Sequence, residues 1–237
     1  MQRLKSMSTQ LALAAATLMI ATSASAAASY GDIVSPGVYF GSGNVNGNWT
    51  IDTSNGIEAA LRIKDRGTLA TVDGSSGVYQ VNPGLCNPVC SGGPKAAWNY
   101  ELSVNTHGGG GVLDLTNVLV FLELDQDASA AVTYGTPLNV LTNWNDNTYW
   151  NGGTRVGASP VSGEFGVQQS ANPLFSDSGY GYLPGPGLYD LRLTVTDRAG
   201  NVLARTTAEV SVPEPASLAL VGAALAAAGL VRRRRRA

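Results

Sequence analysis

Apolar and polar side chains alternate strictly along two stretches of this chain, a pattern that leaves room for little besides half-buried β-strands. "WNYELSVNT" sets Trp98, Tyr100, Leu102 and Val104 on one face and Asn99, Glu101, Ser103 and Asn105 on the other. "LYDLRLTVTD" points Tyr189, Leu191, Leu193 and Val195 inward, with Asp190, Arg192, Thr194 and Thr196 outward. "NVLVFLELD", Asn117 to Asp125, is more continuously apolar and suits a strand near the centre of a sheet. "GNWTIDT" and "AALRIKD" are further strand candidates, the second weakened by its alanine and lysine. Ser54-Asn55-Gly56, Asp73-Gly74, Pro83-Gly84 and Ala199-Gly200-Asn201 supply the turns between such runs. The reading is all-β, an antiparallel β-sandwich over residues 27–211. Its long loops and short surface strands are expected between Asn143 and Pro184, where Gly, Asn, Ser and Pro replace the aliphatics.

The two ends follow other rules. Arg3 and Lys5 precede an apolar run from Leu11 to Ala21, and Ala24-Ser25-Ala26 offers small residues for signal peptidase. Residues 1–26 therefore read as a cleaved export signal, with cleavage after Ala28 as the alternative. At the other end, Ala216 to Val231 form an uninterrupted apolar run followed by Arg232, Arg233, Arg234, Arg235 and Arg236. A helix over 216–231 would span about 24 Å, somewhat short of the ~30 Å hydrocarbon core, and the arginines can snorkel to close the difference. Five cations on one flank hold that flank in the cytoplasm, the orientation that the N-terminal signal also demands. Pro213 and Pro215 keep the peptide just before the run extended.

Between the ends lie eight basic and sixteen acidic residues, a body charge of −8 that repels phosphate backbones and argues against nucleic acid as a partner. Cys86 and Cys90 stand four apart; in an exported chain this spacing predicts a local disulfide fixing a Pro-containing loop. C-x3-C disfavours a thioredoxin-type site. A zinc site would need two further ligands, and His107 is the sole histidine. His107 would also have to serve any Ser-His-Asp scheme, and no G-x-S-x-G elbow is present, so an exposed loop histidine is expected. The neighbouring Gly108–Gly111 lacks a G-K-[ST] ending and reads as a flexible connector. Asp125-Gln126-Asp127 suits a solvated turn at a strand end, with calcium ligation as the alternative. In "NWNDNTYWNGG", Trp144, Tyr149 and Trp150 sit among amides: either they close one end of the core or they form an aromatic platform for a sugar. A glycosidase needs two carboxylates flanking a cleft, and the sequence alone assigns no such pair. The expectation is a non-enzyme without a cofactor or metal.

Val212-Pro213-Glu214-Pro215, then the short Ala/Gly/Leu segment and the terminal arginines, resembles the PEP-CTERM sorting signal. The resemblance covers the last 26 residues, 212–237. It implies recognition by an exosortase, a membrane-embedded transpeptidase-like enzyme of exopolysaccharide-producing Gram-negative bacteria. The hydrophobic tail would be removed and the body delivered to the cell surface or biofilm matrix. There the body would act as a structural or adhesive protein or, alternatively, as a carbohydrate-binding or carbohydrate-active module, with extracellular polysaccharide as a partner. "GPGLYDLRLTVTDRAGNVLARTTAEVSV" is similar to the closing hairpin of immunoglobulin-like and PKD-like bacterial surface modules. That likeness implies a β-sandwich in which Tyr189 either packs in the core or serves as a corner tyrosine.

Overall fold

A computed structural model of the chain describes residues 28–34, 37–40, 45–86, 90 and 93–214. The expected signal peptide, the apolar run 216–231 and the five terminal arginines lie outside the described residues. Among the described residues no helix is long and apolar enough to cross a membrane.

Twelve strands form two sheets. They are β1 (Ser29–Gly31), β2 (Trp49–Ser54), β3 (Ile57–Asp65), β4 (Val78–Gln80), β5 (Trp98–Asn105) and β6 (Val118–Leu124). They continue with β7 (Leu138–Asn139), β8 (Asn147–Trp150), β9 (Thr154–Gly157), β10 (Gly166–Ala171), β11 (Gly187–Asp197) and β12 (Val202–Val212). The first sheet runs β1-β2-β3-β5-β10-β8-β9 and the second β4-β12-β11-β6-β7. The antiparallel expectation holds except at one edge, where β4 runs parallel to β12 and pairs Val78 with Glu209. The sequence-adjacent hairpin partner of β12 is β11, so β4 reaches the free edge of β12 from a distant part of the chain and need not reverse direction.

Alternation produces the core. Ile57, Ala59, Leu61 and Ile63 of β3, with Trp98, Tyr100, Leu102 and Val104 of β5, face Val118, Val120, Leu122 and Leu124 of β6 and the inward residues of β11 and β12. Tyr189, Leu191, Leu193 and Val195 lie in this core as the sequence pattern requires. Tyr189 Oη donates to the Gly185 carbonyl at 3.1 Å, four residues upstream, which is the corner-tyrosine arrangement. On the opposite side of β11, Thr194 and Thr196 are also buried, against expectation. The apolar strand β6 sits next to the edge strand β7 instead of at the centre, and its odd-numbered residues Leu119, Phe121 and Glu123 are only half covered.

The largest departure concerns 143–184. This polar stretch contributes β8, β9 and β10, and β10 is an inner strand between β5 and β8. Its sequence, Gly-Val-Gln-Gln-Ser-Ala, is almost wholly buried. Side-chain amides make that possible by bonding as backbone groups do. Asn172 Oδ1 accepts from Ala96 N at 2.9 Å, while its Nδ2 donates to the carbonyls of Ala96 and Trp98. Composition reads such amides as solvated loop residues, whereas here they are satisfied inside.

Two turns show why the glycines are where they are. β2 and β3 join through Asn55-Gly56, both with positive φ (51° and 79°), the type I′ geometry that matches strand twist. Gly108–Gly111 then packs on this turn, with Gly109 N and Gly111 N both donating to the Gly56 carbonyl at 3.0 and 2.9 Å. The tract is therefore a packed reverse turn and not a flexible connector: a Cβ on Gly56 would stand 2.6 Å from Gly111 N. Gly56→Ala is expected to lose more than about 1 kcal/mol, through both φ and the clash. A drop in the urea midpoint at unchanged m-value checks it.

Candidate functional site

Pairing registers align the outward residues of the first sheet into rows. Arg62 faces Glu101, which faces Ser170; Lys64 faces Asn99; Ser103 faces Gln168, which faces Thr148. An alternating strand in a sandwich ordinarily gives this polar face to water, yet all eight residues of β5 are buried. The described parts of the segment 32–48 cover part of the face. Gln168 Oε1 accepts from Tyr39 N at 2.8 Å and its Nε2 donates to the Gly37 carbonyl at 2.8 Å. Glu58 Oε2 accepts from Val34 N at 2.8 Å, and Arg62 Nη1 donates to the carbonyls of Val45 and Gly47. Ile33, Val38 and Phe40 add an apolar patch over Trp49, Ile51 and Ala60.

Beneath this cover sits an ion cluster. Arg62 Nε lies 2.7 Å from Glu101 Oε2, with the two side chains 0% and 1% exposed, and Lys64 Nζ lies 3.7 Å from Glu101 Oε1. The Arg62 guanidinium also rests 4.2 Å above the Trp49 ring. Burial outweighs the attraction of Glu101 and holds the Lys64 ammonium below its ordinary value. Glu58, under the same cover, has its carboxyl pushed up by burial, which the hydrogen bond from Val34 only partly offsets. Its Oε1 is shielded and has no hydrogen-bond partner.

Beside the described part of the cover, the face opens into a trough of about 580 Å³. Lys64, Asn99, Glu101, Thr148 and Ser170 belong to its lining from the sheet, and Tyr39 and Phe40 from the covering segment. Asp65, Arg66 and Leu69 reach it from the loop after β3. That loop is tied by Asp65, whose Oδ1 accepts from Thr68 N (2.7 Å) and Thr68 Oγ1 (2.9 Å), while Asn82 Nδ2 donates to its Oδ2 at 2.8 Å. Partial burial pushes the Asp65 carboxyl up, but these bonds prevail and hold it below its usual range. Leu69 in this loop has a φ of 62°.

The residues singled out from sequence are scattered. Trp144 (4% exposed), Tyr149 (0%) and Trp150 (9%) do not make an exposed platform. Tyr149 Oη donates inward to the Leu141 carbonyl at 3.0 Å, and Trp150 is walled by Phe165 with ring centres 4.5 Å apart. Trp144 and Tyr149 pack in the main core, and Trp150 is covered by Tyr39 and Phe165. Cys86 and Cys90 form a disulfide with Cα atoms 5.5 Å apart. His107 is exposed and stacks on Phe165 at 4.1 Å. Asp125 Oδ1 accepts from the backbone N–H groups of Asp127 and Thr133, closing a turn, and no group of three or more His, Cys, Asp or Glu among the described residues could hold a metal ion. Val212 ends β12 and is buried; Pro213 and Glu214 beyond it are exposed, and Pro215 lies outside the described residues. The trough residues Asn99, Ser170 and Arg66 were not singled out. The alternation around Glu101, matched to Arg62 and Lys64, was the one sequence signal that pointed toward them.

Comparison with known families finds the PEP-CTERM protein-sorting motif at residues 211–236. No curated protein matches the chain.

Two measurements probe the covered face. Glu101→Gln leaves two buried cations without their carboxylate and is expected to cost roughly 3–5 kcal/mol in denaturant unfolding. Glu58→Gln removes a carboxyl whose folded-state value is raised. The wild type keeps Glu58 protonated without penalty below the ordinary carboxyl range and loses stability as pH rises through the raised value. The melting temperature of wild type minus that of Glu58→Gln is therefore expected to fall from mildly acidic to neutral pH; a flat difference contradicts the assignment.

Proposed function

We propose that this chain is an exported protein that an exosortase-type enzyme transfers from the inner membrane to the cell surface or extracellular matrix of a Gram-negative bacterium. Its β-sandwich body then serves there as a non-catalytic structural or adhesive domain. The position of the sorting motif carries this reading. The match begins at residue 211, so its first two residues are also the last two of β12. Val212 is paired with Gly187, and Pro213 and Glu214 emerge exposed directly beyond it. Proline offers no backbone N–H and cannot extend the sheet ladder, so Pro213 ends the strand and starts an accessible peptide in one step.

The ends of the sequence agree with this route. A leader with Arg3 and Lys5 directs the body outward for signal peptidase to free, while Arg232–Arg236 keep the tail's end in the cytoplasm. The disulfide between Cys86 and Cys90 suits an oxidising compartment. The charge of −8 keeps a body concentrated in a matrix soluble and self-repelling.

Mass spectrometry of surface and inner-membrane fractions tests the proposal. The surface form is expected to lack Arg232–Arg236, and a Pro213→Ala/Pro215→Ala variant is expected to accumulate in the inner membrane with its tail intact. Surface material that retains the arginines, or a variant released like wild type, rules the route out.

A further inference from the structure

Among the described residues, five exposed hydrophobic side chains are larger than valine: Leu69, Leu85, Phe175, Tyr182 and Leu188. All five stand at one end of the sandwich, the end at which β12 runs out at Val212. Leu69 lies in the loop that leaves β3, its N–H donating to the Asp65 carbonyl at 3.0 Å. Leu85 follows β4 in a loop tied to β12 by Val81 N, which donates to the Ser211 carbonyl at 3.0 Å, and to Asp65 by Asn82. Phe175 follows the end of β10, where Ala171 faces Tyr100. Tyr182 Oη donates to Gln126 Oε1 at 3.2 Å just past the end of β6, and Leu188 pairs with Ser211. At the opposite end, around the Asn55-Gly56 turn and the start of β12, the exposed hydrophobics are only Val112, Val161 and Val202.

The fold holds several of these side chains out at a cost. Leu69 sits at a φ of 62°, in the left-handed region that costs a non-glycine residue roughly 1–2 kcal/mol. It gains little packing in return, because it is 51% exposed. Leu85 directly precedes the disulfide between Cys86 and Cys90. The residues also adjoin one another: Leu69 and Phe175 border the same trough, and Leu188 shares a shallow cleft with the exposed Val132. Clustering of this kind marks a contact surface, whereas singly scattered apolar residues do not.

We propose that this end of the sandwich rests on the bilayer into which the chain's own tail inserts, a contact that depends on the insertion step of the function proposed above. The chain leaves the sheet at Val212, and the three residues Pro213, Glu214 and Pro215 that precede the apolar run reach at most about 10 Å. The headgroup layers flanking the ~30 Å hydrocarbon core are themselves several ångströms deep, so the loops around Val212 stand within their reach. Asp127, Asp146, Asp177 and Glu214 outnumber Arg66 and Lys95 at this end, so anionic lipid offers it no attraction and the contact is apolar. The leucines and Phe175 enter the interface, and Tyr182 suits it with a ring that carries a polar tip. A few partly exposed side chains bind lipid weakly, but a three-residue tether keeps their local concentration high. The contact fixes how the Pro213–Pro215 peptide is presented, and cutting the tail removes the tether and frees the body.

Phosphatidylcholine liposomes carrying the full-length chain test this. Bimane is placed on single cysteines introduced as Leu69→Cys, Phe175→Cys or Leu188→Cys at this end and Val112→Cys or Val161→Cys at the other, with the native disulfide left oxidised. Brominated lipid is expected to quench the first three labels severalfold more than the last two, and phosphatidylglycerol is expected not to widen the difference. Leu85→Asp/Phe175→Asp is expected to lower quenching of the label at position 69 severalfold. Each label replaces one exposed side chain, so the first comparison stands even where the double variant folds poorly. Equal quenching at both ends, quenching that requires phosphatidylglycerol, or unchanged quenching in a folded double variant overturns the proposal. A chain that resists carbonate extraction yet shows no quenching overturns this contact and leaves the export route standing. A chain that carbonate strips from the liposomes overturns the insertion on which both rest.

Discussion

Arg62 and Glu101 face each other across β3 and β5 with almost no access to water, and Lys64, Trp49 and the covering segment converge on that pair. Two charges taken out of solvent are costly unless their remaining donors and acceptors are met. Glu101 meets this with Lys64 as a second cation; Arg62 meets it in part, Nη1 through the Val45 and Gly47 carbonyls and the guanidinium face through the Trp49 ring, while its buried Nη2 has no hydrogen-bond partner. The carbonyls come from the covering segment, so the pair also specifies where that segment crosses the sheet. A one-residue slip of β3 against β5 would turn Arg62 into the apolar core and separate it from Glu101, so the pair penalises wrong register more than it adds stability. The trough lies beside the described part of the cover, bordered there by Tyr39 and Phe40.

The inward half of the fold was legible in the sequence and the outward half was not. Period two identified β5 and β11, and the Ser54-Asn55-Gly56 signal marked the tight turn between β2 and β3, because those patterns report local geometry. The strand β3 looked ambiguous from Ala59, Ala60 and Lys64, yet pairing on both sides overrides their propensity. The burial of Gln168, Gln169 and Asn172 could not be read, since an amide bonded to a distant backbone looks the same in sequence as one bonded to water. Trp144, Tyr149 and Trp150 were open to two readings, core closure or a sugar platform, and their burial agrees with the first: even the neighbouring Asn147 is buried, donating to the Val140 carbonyl at 2.8 Å. Of the trough, only the row containing Glu101 was visible as alternation; Arg66 and Leu69 owe their place to a loop tied by Asp65.

The last strand joins the fold to the address. β12 is the inner partner of both β4 and β11, and it is tied to the other sheet as well, Arg205 N donating to Asp52 Oδ2 and the Leu203 carbonyl accepting from Asn55 Nδ2. Removing it would open the core along its length, so the strand that runs into the sorting motif is among the least dispensable. Pro213 to Pro215 are the three residues between this strand and the apolar run, and three residues reach at most about 10 Å. With the run inserted in a bilayer, the Val212 end of the sandwich would stand against the membrane surface. A processing enzyme would then meet a peptide with a folded domain on one side and lipid on the other. Because Val212 is buried and paired, only the residues after it are accessible without breaking the sheet. A cut on the tail side of Val212 would leave the pairing of β12 complete, and the released body would keep every strand of its core.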